Sequence, residues 1–413
     1  MYTARSKKRN LALVLKTDNE SRLQTLFMFY WIYGSLITSA VNFGARFLGL
    51  SDYTDLIRAV LVVAVLFYVS PAIAKFIKVR HLVFYMAVIL VYGLTFVLFP
   101  ENTKWLQDNF INFTFCVLPF IFLGFILSKM QIPYHTLVIC SRLIIVMMIL
   151  VYLFYSEIDI TAHEMGRAYG VLPSLMLVTH SFLKRWNWPD FINVVIGGVF
   201  LLMCATRGPI LCYLVFVLVL IFMEVEKHRK LYMLLLIAVV VLGFSPIGIT
   251  LLEAVMTRFS RAGFNVRIFE YLLAGNITDD NGRDYLTEKV FELISNRPLI
   301  GNGLYSDRLA TSSLPWLAGE GSYVHNIIYE LWCDFGYVIG SLLIVIFVYL
   351  AMKAYRNTSK NMNLRGILLI LLFSYVFKLL MSSSFLNEPG FWICLGMCYE
   401  CQYGRNSLIR RAI

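Results

Sequence analysis

Charged residues are scarce in this chain. Asp, Glu, Lys and Arg make up 15% of its 413 residues, hydrophobic residues 59%, and the mean hydropathy is +0.72. A soluble domain carries about 25% charged and about 45–50% apolar residues. No soluble core could bury this much apolar surface, so lipid has to be the solvent. Period-2 alternation is also missing from the apolar runs, which extend over about 17–22 residues. In lipid the backbone must pair within a segment or in a closed barrel, and without alternation the helix is selected.

Other absences narrow the function. None of the eight cysteines lies between residues 253 and 322, so disulfides are not expected to staple that long loop. Cys394, Cys398 and Cys401 follow an apolar stretch at helical spacing and read as small buried thiols rather than a metal cluster, and no metal is expected. No cleavable signal peptide is expected, because the chain is polar to about Arg22 and its first apolar run is long enough to span. No Gly-Lys-Ser/Thr follows Gly301 and Gly303, which excludes a phosphate loop. Asp279, Asp280 and Asp284 read as a solvated turn, and no two-carboxylate glycosidase pair stands out. The net charge of +11 does not point to nucleic acid, because the basic residues sit in short clusters between apolar runs.

Those runs predict an all-α polytopic membrane protein, one membrane domain over residues 1–413. About 12 spans are expected, near 24–43, 56–74, 82–99, 110–128, 136–155, 166–183, 190–205, 208–223, 231–252, 323–351, 364–384 and 388–402. Gly336 and Gly340 mark a bend inside the tenth. With the N-terminus inside, the inside segments hold 22 Lys and Arg, against Arg46, Lys104 and Arg207 in the short outside loops. Positive charge favours the cytoplasm. Both termini are therefore expected inside, and the loop at 253–322, between spans 9 and 10, outside.

Topology sorts the polar residues. Only His163 and His325 fall at the outer face, and histidine is the side chain that most readily exchanges a proton near neutral pH. Arg207 lies in Cys-Ala-Thr-Arg-Gly-Pro-Ile-Leu, a turn between two apolar runs, where a charge is either functional or an interfacial anchor. Arg167 opens the sixth span in Met-Gly-Arg-Ala-Tyr-Gly. Arg267 lies in an amphipathic stretch of the long loop and taken alone reads as a solvated face. Further along, Asn296-Arg297-Pro298-Leu299-Ile300-Gly301-Asn302-Gly303 suits a turn where backbone approaches something closely. Tyr323 and Trp316 could stack on sugar rings or belong to the interfacial aromatic belt.

In order, Arg207-Gly-Pro-Ile-Leu211, Arg267, Arg297-Pro-Leu-Ile-Gly301-Asn-Gly303, and Tyr323-Val-His325-Asn326 followed by Gly336 and Gly340 resemble the O-antigen polymerase and O-antigen ligase superfamily. Arg167 with Gly170 resembles a further family element, and the likeness covers about residues 165–345. Gly319-Glu320-Gly321-Ser322-Tyr323 before the histidine is more polymerase-like. The resemblance implies a GT-C-type, metal-independent glycosyltransferase without cofactor. It would act at the outer face of a bacterial cytoplasmic membrane on undecaprenyl-diphosphate-linked oligosaccharide, as both donor and acceptor. Membrane lipid would surround it, a chain-length regulator protein is an optional partner, and nucleic acid is none. Arg207 and Arg267 would hold the diphosphate, because arginine offers phosphate a fork of donors. His325 would be the base, with Arg167, Asn326, Arg297, Gly301, Gly303 and Tyr323 around the substrate. The alternatives are a ligase transferring glycan to lipid A core and, outside enzymes, a transporter or flippase of lipid-linked sugars.

Overall fold

The computed structural model describes residues 18–154, 160–204, 206–224, 245–261, 283–317 and 322–403, with single positions 234, 270 and 273. No strand occurs among the described residues. They divide into two compact units: Met1–Pro133 with Gly282–Ile413, and Tyr134–Asn281.

In the first unit, α1 covers residues 18–47 with a π turn at Tyr33–Ile37. Helices α2 (Thr54–Ala74) and α3 (Val79–Leu98) follow, then α4 (Pro100–Leu127), which runs through a π turn at Asn112–Val117 and a 3-10 turn at Leu118–Phe120. The second unit holds α5 (Tyr134–Phe154), α6 (Ile160–Lys184), α7 (Trp188–Met203), α8 (Arg207–Glu224) and α9 (Pro246–Arg261). Back in the first unit come α10 (Arg283–Asn296), α11 (Ser306–Thr311), α12 (Ile327–Asn357), α13 (Met362–Leu380) and α14 (Pro389–Cys401).

Six of the described helices are long and apolar enough to cross a membrane: Ser51–Ala74, Val79–Leu98, Pro100–Leu127, Tyr134–Tyr152, Ile327–Asn357 and Met362–Leu380. Helices α7 and α8 are apolar but shorter. The expected spans at 24–43 and 166–183 fall within α1 and α6, and the one at 388–402 holds the shorter α14. Most of the span expected at 231–252 lies outside the described residues.

α14 forms the buried spine of the first unit. Pro389 starts it at a position where its missing N–H costs nothing, and Ile393, Cys394, Met397 and Cys398 are fully buried. It meets α4 backbone to backbone. A Cβ at Gly124 would fall 2.3 Å from the Ile393 carbonyl oxygen, and one at Gly396 would fall 2.6 Å from that of Ile121. Between apolar helices in lipid, such close approach replaces the hydrophobic drive to associate. The far end of α14 is pinned by charge: Glu400, nearly buried, accepts from His81 Nε2 at 2.8 Å and pairs with Lys129 Nζ at 2.7 Å and with Arg80.

α12 breaks at Gly336, where φ 77 and ψ 169 leave the helix. The freed backbone groups are not left bare. The Cys333 carbonyl accepts from Asn302 N at 2.9 Å, the Asp334 carbonyl accepts from Gly303 N at 3.0 Å, and Tyr337 N donates to the Pro298 carbonyl at 2.8 Å. Residues 298–303 thus dock into the break and satisfy it. Such a break requires this kind of repair, since unpaired backbone groups away from water cost free energy comparable to a lost hydrogen bond. Gly301 and Gly303 adopt left-handed φ of 74 and 81. A Cβ at Gly301 would fall 2.4 Å from the Asp334 carbonyl oxygen, and one at Gly336 would fall 2.5 Å from Leu299 C and O. Asn102 Nδ2 completes the dock by donating to the carbonyls of Asn302 at 2.8 Å and Leu304 at 3.1 Å.

Candidate functional site

The dock delivers the chain into α11, which carries a buried polar node. Arg308 is 5% exposed, and its Nη1 lies 2.7 Å from Asp307 Oδ1 and 3.3 Å from Glu330 Oε1. Asp307 and Glu330 are themselves buried. Glu330 Oε1 also accepts from Ser384 Oγ, and its Oε2 accepts from Phe385 N at 3.4 Å. The node therefore ties α11 and the first turn of α12 to the segment between α13 and α14. Burial works against the Arg308 charge, but the carboxylates of Asp307 and Glu330 outweigh it and hold the guanidinium protonated.

His325 stands beside this node, just ahead of α12. Its backbone is left-handed at φ 57, uncommon for a residue with a Cβ. Its ring centroid is 4.3 Å from that of Tyr323, whose ring lies 5.8 Å from Arg308 Cζ. Nδ1 is buried and has no hydrogen-bond partner among the described residues. Burial first, then the nearby charges of Arg283 and Arg308, push the imidazole down to about 4. It is therefore a neutral free base at pH 7. The helix N-cap is Asn326, whose side chain accepts from Ile328 N at 2.9 Å. Capping is thus done by the residue after His325 and does not occupy the imidazole.

Arg283, the first residue of α10, donates from Nη1 to the Met381 carbonyl at 2.9 Å. Among the described residues no carboxylate lies within ion-pair distance of it. Arg308 and Arg283 thus differ in what they can offer an anion. Arg308 is already balanced by two carboxylates, whereas Arg283 is anchored by a neutral oxygen and keeps most of its donors. Neither is singled out in the sequence. A signal was present for Glu330, an acid inside an apolar span, since ionisable residues at membrane depth are rare and usually functional.

Of the residues assigned from sequence, Tyr323, His325 and Asn326 lie at the start of α12, and Gly301 and Gly303 lie at its break. Arg297 pairs with Glu101 at 3.3 Å, lies over the Phe99 ring at 5.5 Å and stays 45% exposed. Arg167 and Arg207 belong to the second unit. Arg207 is the first residue of α8, and Arg167 lies 5.9 Å from the Tyr152 ring centroid. Tyr169, two residues beyond Arg167, presses on Gly208, where a Cβ would fall 2.2 Å from its Oη. The Met-Gly-Arg-Ala-Tyr-Gly element and the Arg-Gly-Pro opening of α8, expected as a turn, therefore pack on each other. Arg267 and the segment Gly319-Glu320-Gly321 lie outside the described residues, as does the side chain of His163.

No curated protein matches the chain. A family model described as O-antigen ligase matches residues 192–345, a stretch that runs from α7 through Arg207, Arg283 and His325 to beyond the break in α12. Members of that family are membrane glycosyltransferase-like enzymes. The match supports the O-antigen ligase and polymerase superfamily for this chain and bears out the resemblance carried by its sequence motifs.

Proposed function

We propose that the chain polymerises polyprenyl-diphosphate-linked oligosaccharide repeat units into a surface polysaccharide (O-antigen, capsule or exopolysaccharide) at the outer face of a bacterial cytoplasmic membrane. The observation that carries this is the setting of His325: a neutral imidazole on a left-handed backbone, 4.3 Å from the Tyr323 ring and under the charge of Arg283, within the segment that matches the family. About 12 spans, both termini inside and the 253–322 loop outside complete the proposed topology, on the strength of the Lys and Arg distribution.

In the proposed reaction, a hydroxyl oxygen of the acceptor glycan attacks the anomeric carbon of the donor. The bond from that carbon to the diphosphate oxygen breaks, and the lipid diphosphate leaves with the electron pair. His325 takes the hydroxyl proton. A positioned base contributes roughly 10²–10⁴-fold. An imidazole starting near 4 is always free to accept, and the arriving diphosphate offsets the push of Arg283 and Arg308, raising its basicity when the donor is bound. Negative charge grows on the leaving group, and arginine stabilises it as a fixed cation with forked donors, so no metal is invoked. Arg207 and Arg267 are assigned this role from the sequence motifs, and Arg283 joins them on its anchoring and its nearness to His325. Gly301 and Gly303 are proposed to act through the dock that shapes the site. Arg167 and Tyr323 remain candidates for the substrate itself.

The second reading is a ligase that passes the glycan to lipid A core, favoured by the description of the matching family. Purified protein in proteoliposomes separates the two. Given the lipid-linked repeat unit alone, a polymerase produces a ladder of glycans. A ligase leaves that substrate unchanged and forms conjugate only when lipid A core is added. Translocation of the lipid-linked unit without any new glycosidic bond would overturn both and favour a flippase.

A further inference from the structure

Helix α11 grips the His325 turn at two points, and the reaction above uses neither contact. The hydroxyl of Thr311 lies 2.7 Å from both the amide nitrogen and the carbonyl oxygen of Ser322, and Thr311 is fully buried. One helical turn earlier, Asp307 accepts from Val324 N through Oδ2 at 3.1 Å, while its Oδ1 accepts from Arg308 N at 2.9 Å and Nη1 at 2.7 Å. The two grips bracket Tyr323 and end one residue before His325. A residue with a Cβ in the left-handed region is strained and persists only where its surroundings over-determine it. The grips supply that constraint.

We propose that α11 is the positioning device of the site, with Asp307 and Thr311 as positioning residues that fix where the His325 imidazole stands. Glu330 ties the same clamp to the Ser384 segment through Arg308, so the imidazole is set by parts of the chain more than 50 residues apart. The clamp touches no substrate. Its loss slows the chemical step and leaves substrate binding intact. This rests on His325 as the base, and the test below separates the two claims.

Thr311→Val removes the hydroxyl and keeps the side-chain shape, and Thr311→Ser keeps the hydroxyl. The full-length parent, both variants and Thr311→Ala are compared in detergent at equal folded concentration. Turnover is measured on the lipid-linked repeat unit. In parallel, mass spectrometry follows the rate at which diethyl pyrocarbonate modifies His325. Thr311→Val and Thr311→Ala are expected to lose about 10- to 100-fold in kcat with KM unchanged. Both should also change the rate of His325 modification, and Thr311→Ser should restore kcat and that rate. Parental kcat in Thr311→Val, a loss that serine does not rescue, or one modification rate in all four proteins would overturn the clamp. Undiminished turnover by His325→Ala would overturn the base assignment instead, while the modification rates would still decide the clamp.

Discussion

Replacing Gly336 by alanine attacks the dock that shapes the site. At φ 77 an alanine pays about 1–2 kcal/mol for a left-handed backbone. Its Cβ would also fall 2.5 Å from Leu299 C and O and 2.8 Å from the Pro298 oxygen. These are backbone atoms that cannot rotate aside, so the loop must move, at a cost typical of overpacking, about 1–3 kcal/mol. Together this gives roughly 2–5 kcal/mol. Gly93 is the control, because nothing lies within 4 Å of its Cβ position and alanine there gains about 0.5–1 kcal/mol from helix propensity. The assay is the apparent melting temperature of purified protein in detergent at one fixed scan rate. Gly336→Ala should melt clearly below the parent and Gly93→Ala should not. Gly301→Ala, whose Cβ would meet the Asp334 oxygen from the other side, should combine with Gly336→Ala at less than the sum of the single effects, because both open the same dock. Melting of Gly336→Ala together with the parent would refute the docking argument.

Arg207→Lys, Arg267→Lys and Arg283→Lys should each abolish long glycan ladders in cells at matched protein level, because a point charge cannot replace the fork; a normal ladder removes that residue from the site. For pH, a pKa lowered to about 4 keeps His325 in its basic form down to that pH, so kcat/KM should stay level as pH falls from 8 through 6 and drop only as His325 protonates near 4. A drop centred on the ordinary histidine value of about 6.5 would contradict this. For topology, a single cysteine at exposed Glu288 should react with an impermeant reagent in intact spheroplasts. Reaction only after permeabilisation would reverse the assigned faces. Ser306, fully buried, is unsuitable for that label.

The class of the protein was legible because composition alone decides the solvent. The break in α12 was legible at Gly336, since a glycine inside an apolar run marks a place where the helix can leave its path. What fills the break was not legible. Gly301 and Gly303 signal close backbone approach, but the approaching group is the chain itself at Cys333 and Asp334, about thirty residues on. Pairing of that kind depends on tertiary placement. Arg308 was hidden for the same reason: in sequence it is one cation of a polar loop, and only folding sets Glu330 and Ser384 around Asp307 and Arg308. Length misleads in the opposite direction at α14. Pro389–Cys401 is 13 residues, shorter than the roughly 20 a span needs, yet it is the buried centre of its unit because Gly124 and Gly396 let α4 close on it.

The central claim is that His325 is the base, and turnover of purified lipid-linked substrate tests it most directly. Parent, His325→Ala and His163→Ala are compared at equal folded concentration. Loss of the base with the binding groups intact should reduce the chemical step of His325→Ala by about 10²-fold or more, with His163→Ala close to the parent. Near-parental turnover by His325→Ala would contradict the claim, and a selective loss in His163→Ala would move the role there.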